Sequence, residues 1–453
     1  MNSCSNLVIA VCGLMAMECA GSASGASAPA PTVEVAPTGR YLQWSDGTPV
    51  FISADTAWTL PYAFKDDEVV AYLDQRVGSG FNTIQMSALF GDPKDERFHE
   101  KAFAEGDLAK PLDAYWQHVD WVVEQTTRRG FVAIINPIWK RHFNAFLQAN
   151  GAAKCRAFGQ WFASRYQQNP RVLYFIGGDQ VPEPVRDELE AMGQGIQDVY
   201  AGRAMIAFHS EADQSSREAF PNARWLTLNW TYAYAPPYRK KYPYEVNWAN
   251  AKANPRMPIQ FGEGFYDFGS ATRPGANGQR ARWAGRFVLR RQAWWAGILT
   301  GASGCAYGAE AIWMHNRDPE TWQTAVAYES GQDMRRLKLF VDTLPWWTLQ
   351  PDQEHTFLSG GFGEWRTDSF AVAAVSQDRS LAVVYTPVAH ALELRLDELR
   401  PGKITAQWFD PSSGEHQTVD TSLFAQRGTI TLSSPEKNHA GDGDFILLVR
   451  ADP

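Results

Sequence analysis

From Val50 onward, short apolar runs alternate with stretches of helical periodicity, and this rhythm narrows the possible folds more than any other feature. Eight runs stand out: Val50 to Ala54, Thr83 to Met86, Val132 to Asn136, Val172 to Ile176, Ala204 to Phe208, Trp225 to Asn229, Pro258 to Phe261 and Gly304 to Tyr307. Helical patterns lie between them, at Asp66 to Gly78, Tyr115 to Arg129, Ala153 to Gln167, Pro184 to Tyr200 and Arg280 to Leu299. Parallel strands need long crossovers, and a helix after each strand supplies one. Eight such units predict an α/β fold, a (β/α)8 TIM-type barrel. Gly80 and Gly130 stand where helices should stop. Ser330, ahead of Asp333, is placed to cap the last barrel helix, which the Leu344-Pro345 step should end.

After Trp347 the pattern changes. Short β-rich runs beginning at Phe370, Leu381, Ile404 and Phe445 are bounded by turn residues, which predicts a small antiparallel β-sandwich. The 453 residues exceed one usual core, and they divide into a signal peptide (1–27), a linker (28–37), the barrel (38–348) and the sandwich (349–453). The leader reading rests on the apolar run Leu7 to Met17 and the small residues Ala20 to Ala26, although no Lys or Arg precedes the run. The run is too short to span a bilayer, and no later segment is long and apolar enough, so an exported protein without a membrane span is expected. Asp46-Gly47 marks a hairpin before the first run.

Several classes drop out on composition. The net charge is −8 and no basic stripe tracks phosphates, so nucleic acid is not an expected partner. Cys4, Cys12 and Cys19 fall in or beside the leader, leaving Cys155 and Cys305 without neighbours at metal-ligand spacing. No disulfide framework, metal or cofactor is expected.

Two of the runs break into glycine and then an acid: Val172 to Asp179, and Pro258 to Glu263. In a barrel, the carboxyl ends of strands form the active face. Paired acids there suit glycosidic bond cleavage, in which one carboxyl protonates the leaving oxygen while the other attacks or activates water. Plainer roles exist: Asp179 as a cap for a helix near Pro182, Glu263 as a partner for an arginine. Asp267 competes for the second role, but its place beyond Phe265 puts it out on a loop. Asp55, Trp58, Gln85, Asn136, Trp139, His209, Asn229 and Tyr232 follow or end other strands and are candidates for binding sugar hydroxyls. Asp55 reads equally as a turn or cap residue, and His209 as a core group. Tyr307 and Trp313 could form an apolar wall, since aromatic rings stack on sugar faces as readily as they fill cores. Lys140-Arg141-His142 reads as a solvated loop that could meet an acidic substituent on a polysaccharide such as pectin.

Four segments, in this order, resemble the apiosidase-like glycoside hydrolases, family 140 type: Phe51 to Trp58, Gly80 to Gln85, Tyr174 to Asp179, and the Trp408 to Pro411 turn. The resemblance covers most of 38–450. It implies a barrel followed by a β-sandwich, the latter similar to a module named for collagen binding. It also implies that Asp179 is the general acid/base and Glu263 the nucleophile; the strand count independently puts these on strands four and seven. A retaining mechanism would set the carboxyls about 5 to 5.5 Å apart, with burial and a charged Glu263 favouring a proton on Asp179.

Three departures alter the neighbours of these acids: Gln180 replaces an Arg or Asn, Phe261-Gly262-Glu263-Gly264 replaces an Asp-Gly-Glu-Pro pattern, and Ala309 replaces a His. Hydrolysis therefore carries over better than apiose specificity. An exported retaining glycosidase, exo-acting on side chains of an oligo- or polysaccharide, is the expected function. A non-catalytic carbohydrate- or matrix-binding protein on a barrel scaffold is the alternative, against which both acids argue. An esterase would need a Gly-x-Ser-x-Gly elbow, and a zinc peptidase a His-Glu-x-x-His run; neither occurs.

Overall fold

Eight parallel strands form one sheet in the computed structural model, which describes residues 32–91, 99–267, 283–316, 320–425 and 427–452. They are β1 (Ile52–Thr56), β2 (Thr83–Ser87), β3 (Val132–Asn136), β4 (Val172–Gly177), β5 (Ile206–His209), β6 (Asn229–Tyr232), β7 (Ile259–Glu263) and β8 (Gly304–Tyr307). The ladder runs β5-β4-β3-β2-β1-β8-β7-β6. Its two ends meet at a seam closed by a side chain: the Ser216 hydroxyl donates to the Phe208 carbonyl at 2.7 Å and accepts the Trp230 N–H at 2.8 Å. The amide of Leu228 also reaches the Ile206 carbonyl across this seam.

Alternation along the strands sorts their side chains. Ile52, Ala54, Val132, Ile134, Leu173, Phe175, Ala207, Trp230 and Ala306 pack together inside the barrel. Ile84, Met86, Ala133, Ile135, Tyr174, Ile176, Phe208, Phe261 and Cys305 pack outward against the helices. Those helices are α1 (Asp66–Arg76), α2 (Asp113–Arg128), α3 (Lys140–Ser164), α4 (Arg186–Val199), α5 (Pro243–Ala251), α6 (Arg286–Ala296) and α7 (Glu329–Asp342).

Four expectations are corrected. The sixth strand starts at Asn229, where the run Trp225 to Asn229 had been expected to end. Trp225 instead packs under α4, its indole N–H donating to Glu190 at 2.5 Å, so the run is core without being strand. Lys140 to His142 open α3 rather than forming a solvated loop; Lys140, Phe143 and Leu147 share its buried face. Ser330 lies inside α7 and donates to the Asp267 carboxylate instead of capping. Within the expected linker, Val33–Val35 is a strand paired with Leu42–Trp44, which turns back at Gly47 onto Pro49–Val50 as the hairpin signal required. The expected leader lies outside the described residues. No helix among the described residues is long and apolar enough to cross a membrane.

Two antiparallel sheets of six and three strands follow the barrel, the larger holding Val372–Ser376, Leu381–Thr386, Phe445–Asp452 and Lys403–Phe409 at its centre. One face of it joins the barrel's outer core: Val383, Tyr385, Phe409, Ile446 and Leu448 pack with Trp294 of α6 and Leu337 and Phe340 of α7. At that junction Arg290 is buried and pairs with Asp333 at 3.1 Å, Asp442 at 2.7 Å and Asp444 at 2.6 Å. Burial alone would depress its basicity, but these three carboxylates outweigh that and raise it.

Candidate active site

Glu263 reaches the barrel mouth through an irregularity. Phe261 pairs with Thr231, both facing outward, yet Tyr232 pairs with Glu263 rather than with Gly262. One extra residue is thus inserted, and the bulge shifts Glu263 into the inward phase of Tyr232. Gly262 takes the squeezed position: a Cβ there would lie 1.7 Å from the Trp230 ring. Gln85 braces the bulge from inside, its amide donating to the Gly262 carbonyl at 2.8 Å and to the Thr56 hydroxyl at 2.6 Å.

Asp179 arrives by a tight turn. Gly177, Gly178 and Asp179 all have positive φ, 103°, 140° and 57°. A side chain on Gly178 would meet the Trp139 ring at 2.8 Å, so the chain bends where only glycine fits. Asn136 fixes the turn by donating to the Gly177 carbonyl at 3.1 Å. The left-handed conformation of Asp179 is an outlier of the kind that clusters at functional sites. It is not a helix cap, since α4 begins only at Arg186.

The two acids meet with His209 between them; ligand atoms of Asp179, His209 and Glu263 all lie within 4.8 Å of one another. His209 Nε2 is 2.8 Å from Glu263 Oε2, and its Nδ1 is 3.1 Å from the Ser210 carbonyl. Nδ1 also faces the Asp179 N–H at 3.4 Å, so the contact that calls for a ring proton without a competitor is that of Nε2 with Glu263. Burial opposes a positive charge on the ring, but the hydrogen bond to Glu263 and the charge of that carboxylate prevail, holding His209 above its ordinary value. Both nitrogens being engaged, the trio fits a hydrogen-bonded cluster better than a cation site. Tyr232 OH lies 2.9 Å from Glu263 Oε1 and 3.1 Å from Asp179 Oδ1, while Tyr234 OH donates to the same Glu263 oxygen at 2.6 Å. Arg141 stands 3.6 Å from Asp179. A cleft of about 240 Å³ opens here, lined by Arg141, Asp179, Ala212, Tyr232, Tyr234, Tyr238 and Arg239.

A raised histidine value has a definite sign in stability. The contribution of His209 is fully present below its unfolded value of about 6.5 and is lost as pH rises through the higher folded value. Urea melts of wild type and His209→Gln between about pH 5.5 and 9 should therefore show a stability gap that is widest at the acid end and narrows upward. A gap independent of pH would mean that folding leaves the His209 value unchanged, and one that narrows toward acid would mean that the buried ring is held neutral.

The remaining candidates divide three ways. Trp58 and Trp139 are buried in the barrel interior beneath the cleft, ring centroids 5.0 Å apart and 5.9 and 5.1 Å from His209; Trp313 joins them through Phe90 at 6.0 Å. Gln85 and Asn136 are fully buried braces rather than sugar ligands. Asp55, Asn229 and Tyr307 point away from the barrel interior, and their expected contact with substrate is corrected. Asp55 is sealed against Arg76 at 2.6 Å and Tyr72 at 2.7 Å. Asn229 opens its strand and accepts the Arg217 N–H while donating to Asn250 on α5. Tyr307 donates to Asp267 at 2.8 Å. Asp267 itself is buried in the short strand Tyr266–Asp267, not out on a loop. Tyr234, Tyr238 and Arg239 were missed; the alternation Tyr232-Ala233-Tyr234 carries the signal for the first.

A (β/α)8 barrel with two carboxylates at its mouth is the construction of a glycoside hydrolase. The chain belongs to the apiosidase-like family: the model described as "Apiosidase-like, catalytic domain" matches residues 36–348. A second model, "Putative collagen-binding domain of a collagenase", matches residues 363–450. Among solved structures, one described as a glycoside hydrolase is 22% identical, with a TM-score of 0.77 over 93% of this chain and 97% of that one. A family 5 glycoside hydrolase from Bacteroides vulgatus ATCC 8482 is 20% identical, with a TM-score of 0.75 over 93% of each chain. At these identities the likeness shows the fold. No curated protein matches the chain.

Proposed function

We propose that this chain is an exported retaining glycosidase in which Glu263 is the nucleophile and Asp179 the general acid/base. The observation that carries the reading is the approach of the two carboxylates to within 4.8 Å, nearer the roughly 5 to 5.5 Å of retaining enzymes than the 6.5 to 9.5 Å that inversion needs for an intervening water. The hydrogen bonds distinguish the two acids. Glu263 receives donors from Tyr232, Tyr234 and His209, which suits a charged nucleophile. Tyr232 has one proton to give; if it goes to the nearer Glu263, a proton on Asp179 completes the 3.1 Å contact by donating to the phenol oxygen.

In the first step Glu263 attacks the anomeric carbon as Asp179 protonates the departing oxygen. In the second, Asp179 takes a proton from water, and the water displaces Glu263. Exo action at this cleft is part of the proposal, its described lining being Asp179 among tyrosine and arginine side chains. Arg141 and Arg239 make its rim basic and suited to an acidic neighbouring residue on the polysaccharide, with apiose of the family 140 type as the first sugar to try. A screen of aryl glycosides and pectic oligosaccharides tests the reading, and proton NMR of the first-formed product reads the stereochemistry. No hydrolysis on any substrate would favour the carbohydrate-binding alternative. Export predicts a mature amino terminus between Ala20 and Ala30 by mass spectrometry of the native protein; an intact Met1 would reject it.

A further inference from the structure

The loop 235–241 carries Tyr238 and Arg239 into the cleft. It starts at Ala235 with a φ of 60° and curls so that the Arg239 N–H bonds back to the Ala235 carbonyl at 3.0 Å. One side is held from within the barrel: the Asp213 carboxylate accepts the N–H groups of Lys240 and Lys241 at 2.9 and 3.2 Å, and Lys241 Nζ donates to the Asp213 carbonyl at 2.9 Å. Another anchor comes from the tail domain. Arg366 Nη2 donates to the Lys240 carbonyl at 2.8 Å, and its Nε pairs with Glu245 at 3.1 Å. The second oxygen of Glu245 accepts the Tyr242 N–H at 2.8 Å, where α5 begins. One guanidinium therefore ties the loop to the start of the next helix.

Arg366 is itself held in place. Trp365 stacks on Trp248 of α5 with centroids 5.8 Å apart and planes 5° from parallel, and Asp368 pairs with Arg291 of α6 at 3.1 Å. Between these two pins Arg366 adopts a φ of 63°, a conformation that a long side chain seldom takes without a constraint from its surroundings.

We propose that Arg366 is a positioning residue for the cleft, through which the tail domain frames the substrate site by fixing loop 235–241. This inference rests on the glycosidase reading for its kinetic consequence, though not for the clamp itself. Tyr238 and Arg239 line the cleft from this loop, whereas Asp179 and Glu263 are set by the ends of β4 and β7, so loosening the loop weakens substrate binding and leaves the bond-breaking groups in place. Such a change raises KM and spares kcat.

In the full-length protein, Arg366→Ala should speed amide exchange across 235–241 about fivefold and raise KM by a similar factor, with kcat within about twofold, the scale of one net hydrogen bond. Arg366→Lys keeps a donor for the carbonyl but loses the planar fork that also reaches Glu245, and should recover part of both effects. Unchanged exchange in the loop, exchange rising evenly across the barrel, or a fall in kcat at constant KM would each overturn the proposal. If exchange rises only in the loop while the wild type cleaves no glycoside, the clamp stands and the glycosidase reading falls.

Discussion

Glu263→Ala should abolish turnover of every glycoside, whereas Asp179→Ala should lose about 10²- to 10⁴-fold on natural linkages and far less on aryl glycosides whose leaving group departs unprotonated. The asymmetry follows from the two roles. Without Glu263 there is no covalent intermediate on any substrate, while without Asp179 only proton transfer is missing. Azide should therefore rescue Asp179→Ala by attacking the glycosyl-enzyme, giving a glycosyl azide of retained configuration. In Glu263→Ala, azide can occupy the emptied side of the sugar and give the inverted azide. Equal losses on activated and natural substrates, or inversion in the wild-type product, would reject the assignment. Full activity in either variant would remove that residue from the mechanism.

The second large effect is on stability. Arg290→Ala should destabilise the folded chain by about 3–5 kcal/mol, read by chemical denaturation, because it leaves the buried Asp444 without a cation, while Asp333 keeps Arg286 and Arg336. Asp444 is fully buried, and burial raises its proton affinity even with Arg290 beside it. Without the guanidinium it must take up a proton or remain as an uncompensated charge. Asp444→Asn in the Arg290→Ala background should recover part of the loss, since it removes that charge. A loss below about 1 kcal/mol would place the cluster with ordinary surface pairs and deny it a role in joining barrel to sandwich.

Much of the architecture was legible because it depends on local pattern. Seven of the eight runs overlap their strands over most of their length, since an apolar run between helical stretches has few other uses in a parallel sheet. The run at Trp225 failed for the reason such runs fail generally: burial under a helix and burial in a sheet demand the same residues. Lys140 to His142 misled in the opposite way, because charge suggested solvent while the spacing to Phe143 and Leu147 placed the lysine stem on a buried face. Burial pushes Lys140 down to about 8, with its ammonium group bonded to Gln180 and the Glu183 carbonyl.

The positions of Asp179 and Glu263 at strand ends were determined by sequence alone, since glycine followed by an acid after an apolar run marks both the end of a strand and the residue beyond it. Which strand-end polar groups face the cleft was decided only by the tertiary structure. A single residue of phase separates inward from outward in a strand. That parity sends Asp55, Asn229 and Tyr307 to the helices and keeps His209 and Tyr232 at the mouth. It is also the parity that the bulge at Gly262 reverses to bring in Glu263, and a bulge depends on the register of the neighbouring strand, here Thr231 and Tyr232, which lies far along the chain and leaves no local mark in the sequence.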